Sequence, residues 1–277
     1  MKSLTNKDVS LIGMVHVRAL PGTPEHNLPM KEIRRIAVSE ARALRNAGFD
    51  ALLIENMHDV PYLKRDVGPE IIAAMTSVTD AVRQAVDCPL GVQILAGANR
   101  QALAVALTTG AQFIRAEGFV FAHVADEGLM ESDAAELLRY RRLIGAQDIL
   151  IFADIKKKHS SHAITADVIL ADTAHAAEFF GADALVITGT ATGRPTSASD
   201  LDEAACGSRL PLLVGSGTTP ENLPELWHRA QGFIIGSCIK KGGSWENPLD
   251  KRRITAIIRA AEKLRASHPH SRKEKAP

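Results

Sequence analysis

The sequence predicts a single (β/α)8 TIM barrel, an α/β fold in one domain, and three observations predict it. Short apolar runs alternate with longer amphipathic stretches from one end to the other, the pattern of a parallel sheet with helical crossovers. Eight such strand–helix units follow one another along the 277 residues. The string AGFDALLIE at 47–55 is echoed by FGADALVIT at 180–188, and AQFIRAEG at 111–118 more faintly by AQGFIIGS at 230–237. These echoes pair the second unit with the sixth and the fourth with the eighth, as two half-barrels would. A doubly wound sheet has no reason to repeat in that register.

Taken in order, the apolar runs place strands at 9–15 (VSLIGMV), 50–54 (DALLI), 90–94 (LGVQI), 112–116 (QFIRA), 149–153 (ILIFA), 183–187 (DALVI), 211–214 (PLLV) and 232–235 (GFII). Between and after them, helices are expected at 30–47, 69–86, 99–109, 132–144, 166–180, 200–206, 221–229 and 250–266. Several helices end on a small residue before the next strand, at Ala47-Gly48, Gly110-Ala111, Gly181-Ala182 and Gly232. Glycine there accepts the left-handed cap conformation and lets the chain turn back at once. Residues 1–266 form the barrel in this reading. The polar, proline-punctuated end SHPHSRKEKAP at 267–277 is expected to be a disordered tail.

Composition narrows the function classes. The net charge of +1 gives no field suited to nucleic acid or a membrane surface, and aromatic residues at 4% leave little for base stacking. Cys88, Cys206 and Cys238 lack the spacing of a disulfide framework or a zinc site. No apolar stretch is long enough to span a bilayer, and the first ten residues carry no signal-peptide core. A cytoplasmic protein is expected, without nucleic-acid or membrane partners.

In this architecture the site lies where strands run into the loops that follow them. The polar residues there are His16 and Arg18, then Glu55, Asn56 and His58, then Gln93, and Arg115 with Glu117. The later strands add Asp154, Lys156 and His159, then Thr188, Thr190 and Thr192, then Ser216 and Thr219, and finally Ser237 with Lys240. Two glycine-rich segments follow strands seven and eight: Gly215-Ser216-Gly217-Thr218-Thr219-Pro220-Glu221-Asn222 and Gly236-Ser237-Cys238-Ile239-Lys240-Lys241-Gly242-Gly243. Glycines let backbone N–H groups approach an anion, and Thr219 before Pro220 is a good helix start that would aim further donors at it. Gly215, Ser216, Gly217, Gly236, Ser237 and Lys240 are therefore the expected phosphate ligands. Two tight turns with no ligand would explain the same glycines.

After strand six, Thr188-Gly189-Thr190-Ala191-Thr192-Gly193-Arg194-Pro195 offers hydroxyls and a guanidinium. Asn56, Gln93, Arg115, Thr188, Thr192 and Arg194 are taken as substrate contacts, although a loop closing the mouth accounts equally for the last three. Glu55, Asp154 and Lys156, with His16, are the acid–base candidates. A desolvated lysine could instead form a Schiff base, while the run Lys156-Lys157-Lys158-His159 reads equally as a solvated loop. No cofactor is expected. His16, Glu55, Asp154 and His159 would form a divalent-metal set only if all four faced the mouth.

Several of these segments carry a resemblance. Ile12-Gly13-Met14-Val15-His16-Val17-Arg18-Ala19-Leu20-Pro21-Gly22 and Ile54-Glu55-Asn56-Met57-His58-Asp59-Val60-Pro61-Tyr62 resemble the corresponding stretches of the BtpA/SgcQ family. Thr188-Gly189…Thr192-Gly193, the segment 215–222, and Gly236-Ser237…Lys240…Gly242…Trp245-Glu246-Asn247-Pro248 follow in the same order, so the likeness spans roughly 10–265. The resemblance implies a phosphate-binding TIM-like barrel. Cyanobacterial members are tied to photosystem I biogenesis and SgcQ-like members to sugar metabolism. Two rim segments depart from the family pattern. After strand three the family tends to read asparagine and then Leu-Arg-Asn-Asp, where this chain has Gln93 through Asn99. After strand four Arg-Val-Asn is expected, and Arg115-Ala116-Glu117 stands here.

Two functions remain open from sequence. One is an isomerase, epimerase or lyase using acid–base chemistry on a phosphorylated sugar or similar small metabolite, in a homo-oligomer. The other is a non-catalytic assembly or stabilising factor on the same barrel.

Overall fold

The computed structural model describes residue 5 and residues 7–156, 160–189 and 196–267. Eight parallel strands close a barrel: β1 (Ser10–His16), β2 (Ala51–Glu55), β3 (Leu90–Gln93), β4 (Phe113–Ala116), β7 (Leu150–Lys156), β9 (Ala184–Ile187), β10 (Leu212–Val214) and β11 (Gly232–Ile235). Around the ring the order is β1, β11, β10, β9, β7, β4, β3, β2, and the seam between first and last strand pairs Ser10 with Gly232 through Gly13 with Ile235. The strands were readable because each is buried on both faces and so carries a near-continuous apolar run.

The helices are α1 (Met30–Ala47), α2 (Pro69–Ala85), α3 (Asn99–Thr109), α4 (Ala134–Leu143), α5 (Leu170–Phe179), α6 (Ala198–Gly207), α7 (Leu223–Leu226) and α8 (Lys251–Ser267). Gly48, Gly110 and Gly181 take φ of 108°, 70° and 83° in the expected left-handed caps, whereas Gly232 opens a strand instead. The helix expected at 221–229 is only the four residues of α7, with Leu223 N–H bonded back to Thr219 O at 3.0 Å. The cap of α7 is Asn222 and not the expected Thr219, which stands one turn ahead of it: Thr219 Oγ1 accepts from Asn222 N–H at 3.4 Å while Asn222 Oδ1 accepts from Thr219 N–H at 2.8 Å. So short a helix has little macrodipole to offer an anion.

Two features were not expected. A hairpin, β5 (His123–Ala125) with β6 (Gly128–Met130), follows β4 and joins β8 (Ser160–Ser161) in a three-stranded antiparallel sheet. β7 runs three residues past its expected end and carries an irregularity, since Asp154 pairs with Val186 but Lys156 with the next residue, Ile187. Helix α8 extends through Ser267, the first residue of the expected tail, and the rest of that tail, 268–277, lies outside the described residues.

Packing divides into two cores. One lies between strands and helices. The other fills the lumen with Ile12, Met14, Ala51, Leu53, Phe113, Phe152, Ala184, Val186, Leu213 and Ile234, where the Phe113 and Phe152 rings stack at 4.7 Å. Among the described residues no helix is long and apolar enough to cross a membrane.

Candidate functional site

Alternation along each strand sets the next layer. Two residues beyond Met14, Leu53, Gly91, Phe113, Phe152, Val186, Leu213 and Ile234 stand His16, Glu55, Gln93, Arg115, Asp154, Thr188, Gly215 and Gly236, one from each strand. This layer closes the apolar lumen and floors a cavity of about 840 Å³ at the C-terminal end of the barrel. His16, Glu55, Gln93, Arg115, Gly215 and Gly236 all line it.

Six side chains and two glycines make the floor lopsided. A Cβ on Gly236 would sit 3.2 Å from His16 Nε2, and one on Gly215 would sit 2.7 Å from Thr188 Cγ2 and 3.1 Å from Arg115 Nη2. Beneath the β10 and β11 loops there is room for a ligand only because both residues lack a side chain.

The charged groups are tightly matched. Arg115 Nε donates to Asp154 at 3.0 Å, with both side chains buried. Burial works against the guanidinium charge, yet Asp154, Glu55 and Glu117 together raise its pKa above the ordinary arginine value. His16 Nδ1 lies 3.3 Å from the carbonyl of Trp245, which can only accept, and Nε2 lies 3.7 Å from Glu55 Oε2. A proton can pass between these two groups and a ligand above them. Gln93 Nε2 donates to Glu117 Oε1 at 3.3 Å, and Gln93 Oε1 has no partner among the described residues.

The expected phosphate end contains the Gly215–Pro220 and Gly236–Cys238 segments, all of which line the cavity. The hydroxyl of Ser216 has no partner among the described residues. Arg252 and Arg253, from the first turn of α8, line the same end, and Arg253 Nη1 reaches Cys238 O at 3.3 Å. Sequence reading passed over both. The signal was present: Asp250 caps the helix through Arg252 N–H at 2.8 Å, and three cations then occupy the turn where the helix dipole disfavours them. Sequence reading also passed over Asp126 and Glu127, which the β5–β6 hairpin brings to the cavity.

Other expectations are redirected. Lys240 is almost fully buried away from the cavity, with Nζ 2.8 Å from Glu40 Oε2 of α1. Lys156 leaves the mouth because the irregularity in β7 turns it beside outward-facing Ile187, and it pairs with Asp200 of α6 at 2.7 Å. Asn56 braces its loop instead of facing a ligand, accepting from Leu95 N–H at 2.7 Å and donating to Asp59 at 2.8 Å. Thr188 donates its hydroxyl to Lys156 O at 2.8 Å. Thr190, Thr192, Arg194 and His159 lie outside the described residues. Among the described members of the suggested metal set, His16 and Glu55 approach each other and Asp154 is bonded to Arg115. No group of three metal-ligating side chains gathers among the described residues.

Comparison with known proteins agrees with the fold. The model of the BtpA family matches residues 7–263. A Caenorhabditis elegans protein designated mitochondrial is 45% identical over 269 residues, covering 95% of this chain and 97% of that one. The photosystem I biogenesis protein BtpA of Synechocystis is 34% identical over 269 residues, covering 96% of this chain and 93% of its own. Among solved structures, phosphoribosyl anthranilate isomerase from Thermus thermophilus superposes with a TM-score of 0.58 at 13% identity, covering 93% of this chain and all of its own. That likeness concerns the fold.

Proposed function

The chain belongs to the BtpA family, and from that premise we propose that it is an enzyme performing acid–base chemistry on a small phosphorylated metabolite, as an isomerase, epimerase or lyase. The observation that carries this reading is the His16–Glu55 pair, 3.7 Å apart on the floor of a cavity whose lining includes two glycine-rich loops and two arginines. Backbone N–H groups of Gly217, Gly236 and Ser237 hold the phosphate, with Arg253 supplying charge from the side. Glu55 takes a proton from carbon next to a carbonyl, and the electron pair moves onto the carbonyl oxygen, where Arg115 stabilises it. Glu55 passes that proton to Nε2 of His16, 3.7 Å away, and His16 delivers it to the opposite face of the same carbon as the electron pair returns from the oxygen and the carbonyl re-forms.

The test is hydrogen exchange. Phosphorylated aldoses and ketoses incubated with the protein in heavy water should exchange the proton next to the carbonyl, read by NMR. Glu55→Gln should slow this by on the order of a hundredfold. Wild-type exchange in that variant removes Glu55 from the mechanism.

The name of the Synechocystis relative supports a second reading, a non-catalytic role in assembling another complex. It requires no exchange with any phosphorylated compound and unchanged assembly activity in Glu55→Gln. The ionisable floor of the cavity favours the enzyme.

A further inference from the structure

Gln93, in the cavity floor, carries an unmet hydrogen bond. It lines the cavity and is 1% exposed. Its Nε2 donates to Glu117 Oε1 at 3.3 Å, while its Oε1 has no partner among the described residues. Turned over, the amide would set its oxygen against that carboxylate, so the acceptor is the end left over. Elsewhere in the same layer Arg115 donates to Asp154 and Thr188 to Lys156 O. The place of Gln93 matters as much as its spare oxygen. On one side of β3 it pairs in register with Glu55 of β2, and on the other side β3 pairs with β4, the strand of Arg115. Gln93 therefore stands between the group assigned to take a proton from carbon and the group assigned to the carbonyl oxygen. Four places around the ring from β3, β10 runs into Ser216 and Thr218, whose hydroxyls also have no partner among the described residues. Thr218 is 3% exposed, and both residues line the same cavity.

The two ends ask for different ligand groups. Hydroxyls beside glycines donate to phosphate oxygens, whereas an amide oxygen only accepts. A carboxylate or bare carbonyl at Gln93 would set acceptor against acceptor. An ammonium group would need acceptors for three hydrogens where Gln93 offers one oxygen, and a hydroxyl needs only that one. We propose that the ligand of this site is an α-hydroxycarbonyl phosphomonoester, in which the carbon that gives its proton to Glu55 bears a hydroxyl received by Gln93 Oε1. Loss of that proton leaves an enediolate. The C–H electron pair becomes the new carbon–carbon double bond, and the carbonyl π pair moves onto the oxygen beside Arg115, so no oxidant or co-reactant is needed. This rests on the acid–base and phosphate reading above and names the substrate class that reading left open.

Matched pairs that differ by that hydroxyl alone test it by calorimetric titration of the full chain. The pairs are dihydroxyacetone phosphate against hydroxyacetone phosphate, ribose 5-phosphate against 2-deoxyribose 5-phosphate, and glucose 6-phosphate against 2-deoxyglucose 6-phosphate. Inorganic phosphate is the control. It should raise the melting temperature of the wild type but not of Arg253→Ala, and its failure to do so would remove the phosphate reading and this inference together. With that control positive, the hydroxylated member of at least one pair should bind at least about tenfold tighter than its deoxy partner, because the deoxy compound leaves the buried acceptor unmet. Gln93→Met should bring that member down to the affinity of its deoxy partner while keeping the phosphate effect. Equal binding within all three pairs, no binding by any of the six compounds, or a preference that survives in Gln93→Met overturns the inference and leaves the phosphate reading standing. So does tighter binding of glucosamine 6-phosphate than of glucose 6-phosphate, since the donor received would then be an amine. The wild-type comparison decides the matter even if the variant fails to fold.

Discussion

Arg115 and Asp154 form an ion pair in the floor of the cavity, with both side chains buried. Removing one should therefore cost more than the pair contributes. Asp154→Ala is expected to lower unfolding free energy by about 3–5 kcal/mol, and adding Arg115→Met should recover much of the loss. Additive losses in urea unfolding would contradict this. Gly215→Ala probes the same layer by volume: the new methyl would stand 2.6 Å from Val186 and 3.1 Å from Arg115, so the guanidinium must move. A loss of about 1–3 kcal/mol is expected, together with weaker phosphate binding. At this scale the sequence was readable only as far as period two held. His16, Glu55, Gln93 and Arg115 follow the strand's alternation into the cavity, whereas a single inserted residue in β7 sends Lys156 out of it. Nothing in the string Asp154-Ile155-Lys156 marks that shift, because an irregularity is decided by the neighbouring strand.

Lys240 ties the loop after β11 to helix α1, so its role should be separable from anion binding. Lys240→Ala leaves Glu40 buried alone and should cost about 3–5 kcal/mol, while Lys240→Met with Glu40→Leu should be close to neutral. The double variant should keep the full melting shift with phosphate, and losing it would make Lys240 a ligand after all. The same loop reaches the loop after β2 through Trp245, whose ring lies 5.0 Å from His58. Burial, then Arg18 and Lys240, lower the pKa of His58 from 6.5 to about 4. The unfolded chain takes up this proton near pH 6.5 and the folded chain only near pH 4. The contribution to stability is thus complete above pH 6.5 and is lost as pH falls toward 4. His58→Asn should flatten that part of the stability profile, and an NMR titration of His58 with a midpoint near 6.5 would contradict it. Among elements, those that bury apolar stripes were legible. The β5–β6 hairpin was not, since strands of three residues with exposed Val124 and Leu129 leave no periodicity to detect.

At the base of the barrel one carboxylate gathers contacts from residues far apart in sequence. Asp50 accepts from Leu11 N–H at 2.8 Å and from Arg265 of α8 at 2.6 Å, and Lys7 lies 2.5 Å away, so Lys7 ahead of β1 and Arg265 of α8 meet beside the β1–β11 seam. Asp50→Ala should lower stability by about 1–3 kcal/mol through the orphaned Leu11 amide, with hydrogen exchange rising first along β1. Deleting 268–277, beyond this fastening, should leave the melting temperature within about a degree of the wild type. Closure was legible from eight repeated units, but the fastening was not, because it joins residues more than two hundred positions apart. That separation carries a consequence in time. β1 leaves the ribosome first, and its partner β11 follows some 220 residues later, an interval on the order of 10–40 seconds at ordinary rates of synthesis. Throughout that interval the apolar ribbon SLIGMVH can find β2 on one side and nothing on the other. The nascent chain therefore spends most of its manufacture with an adhesive edge, and its safe arrival depends on what shields that edge until the last strand is made.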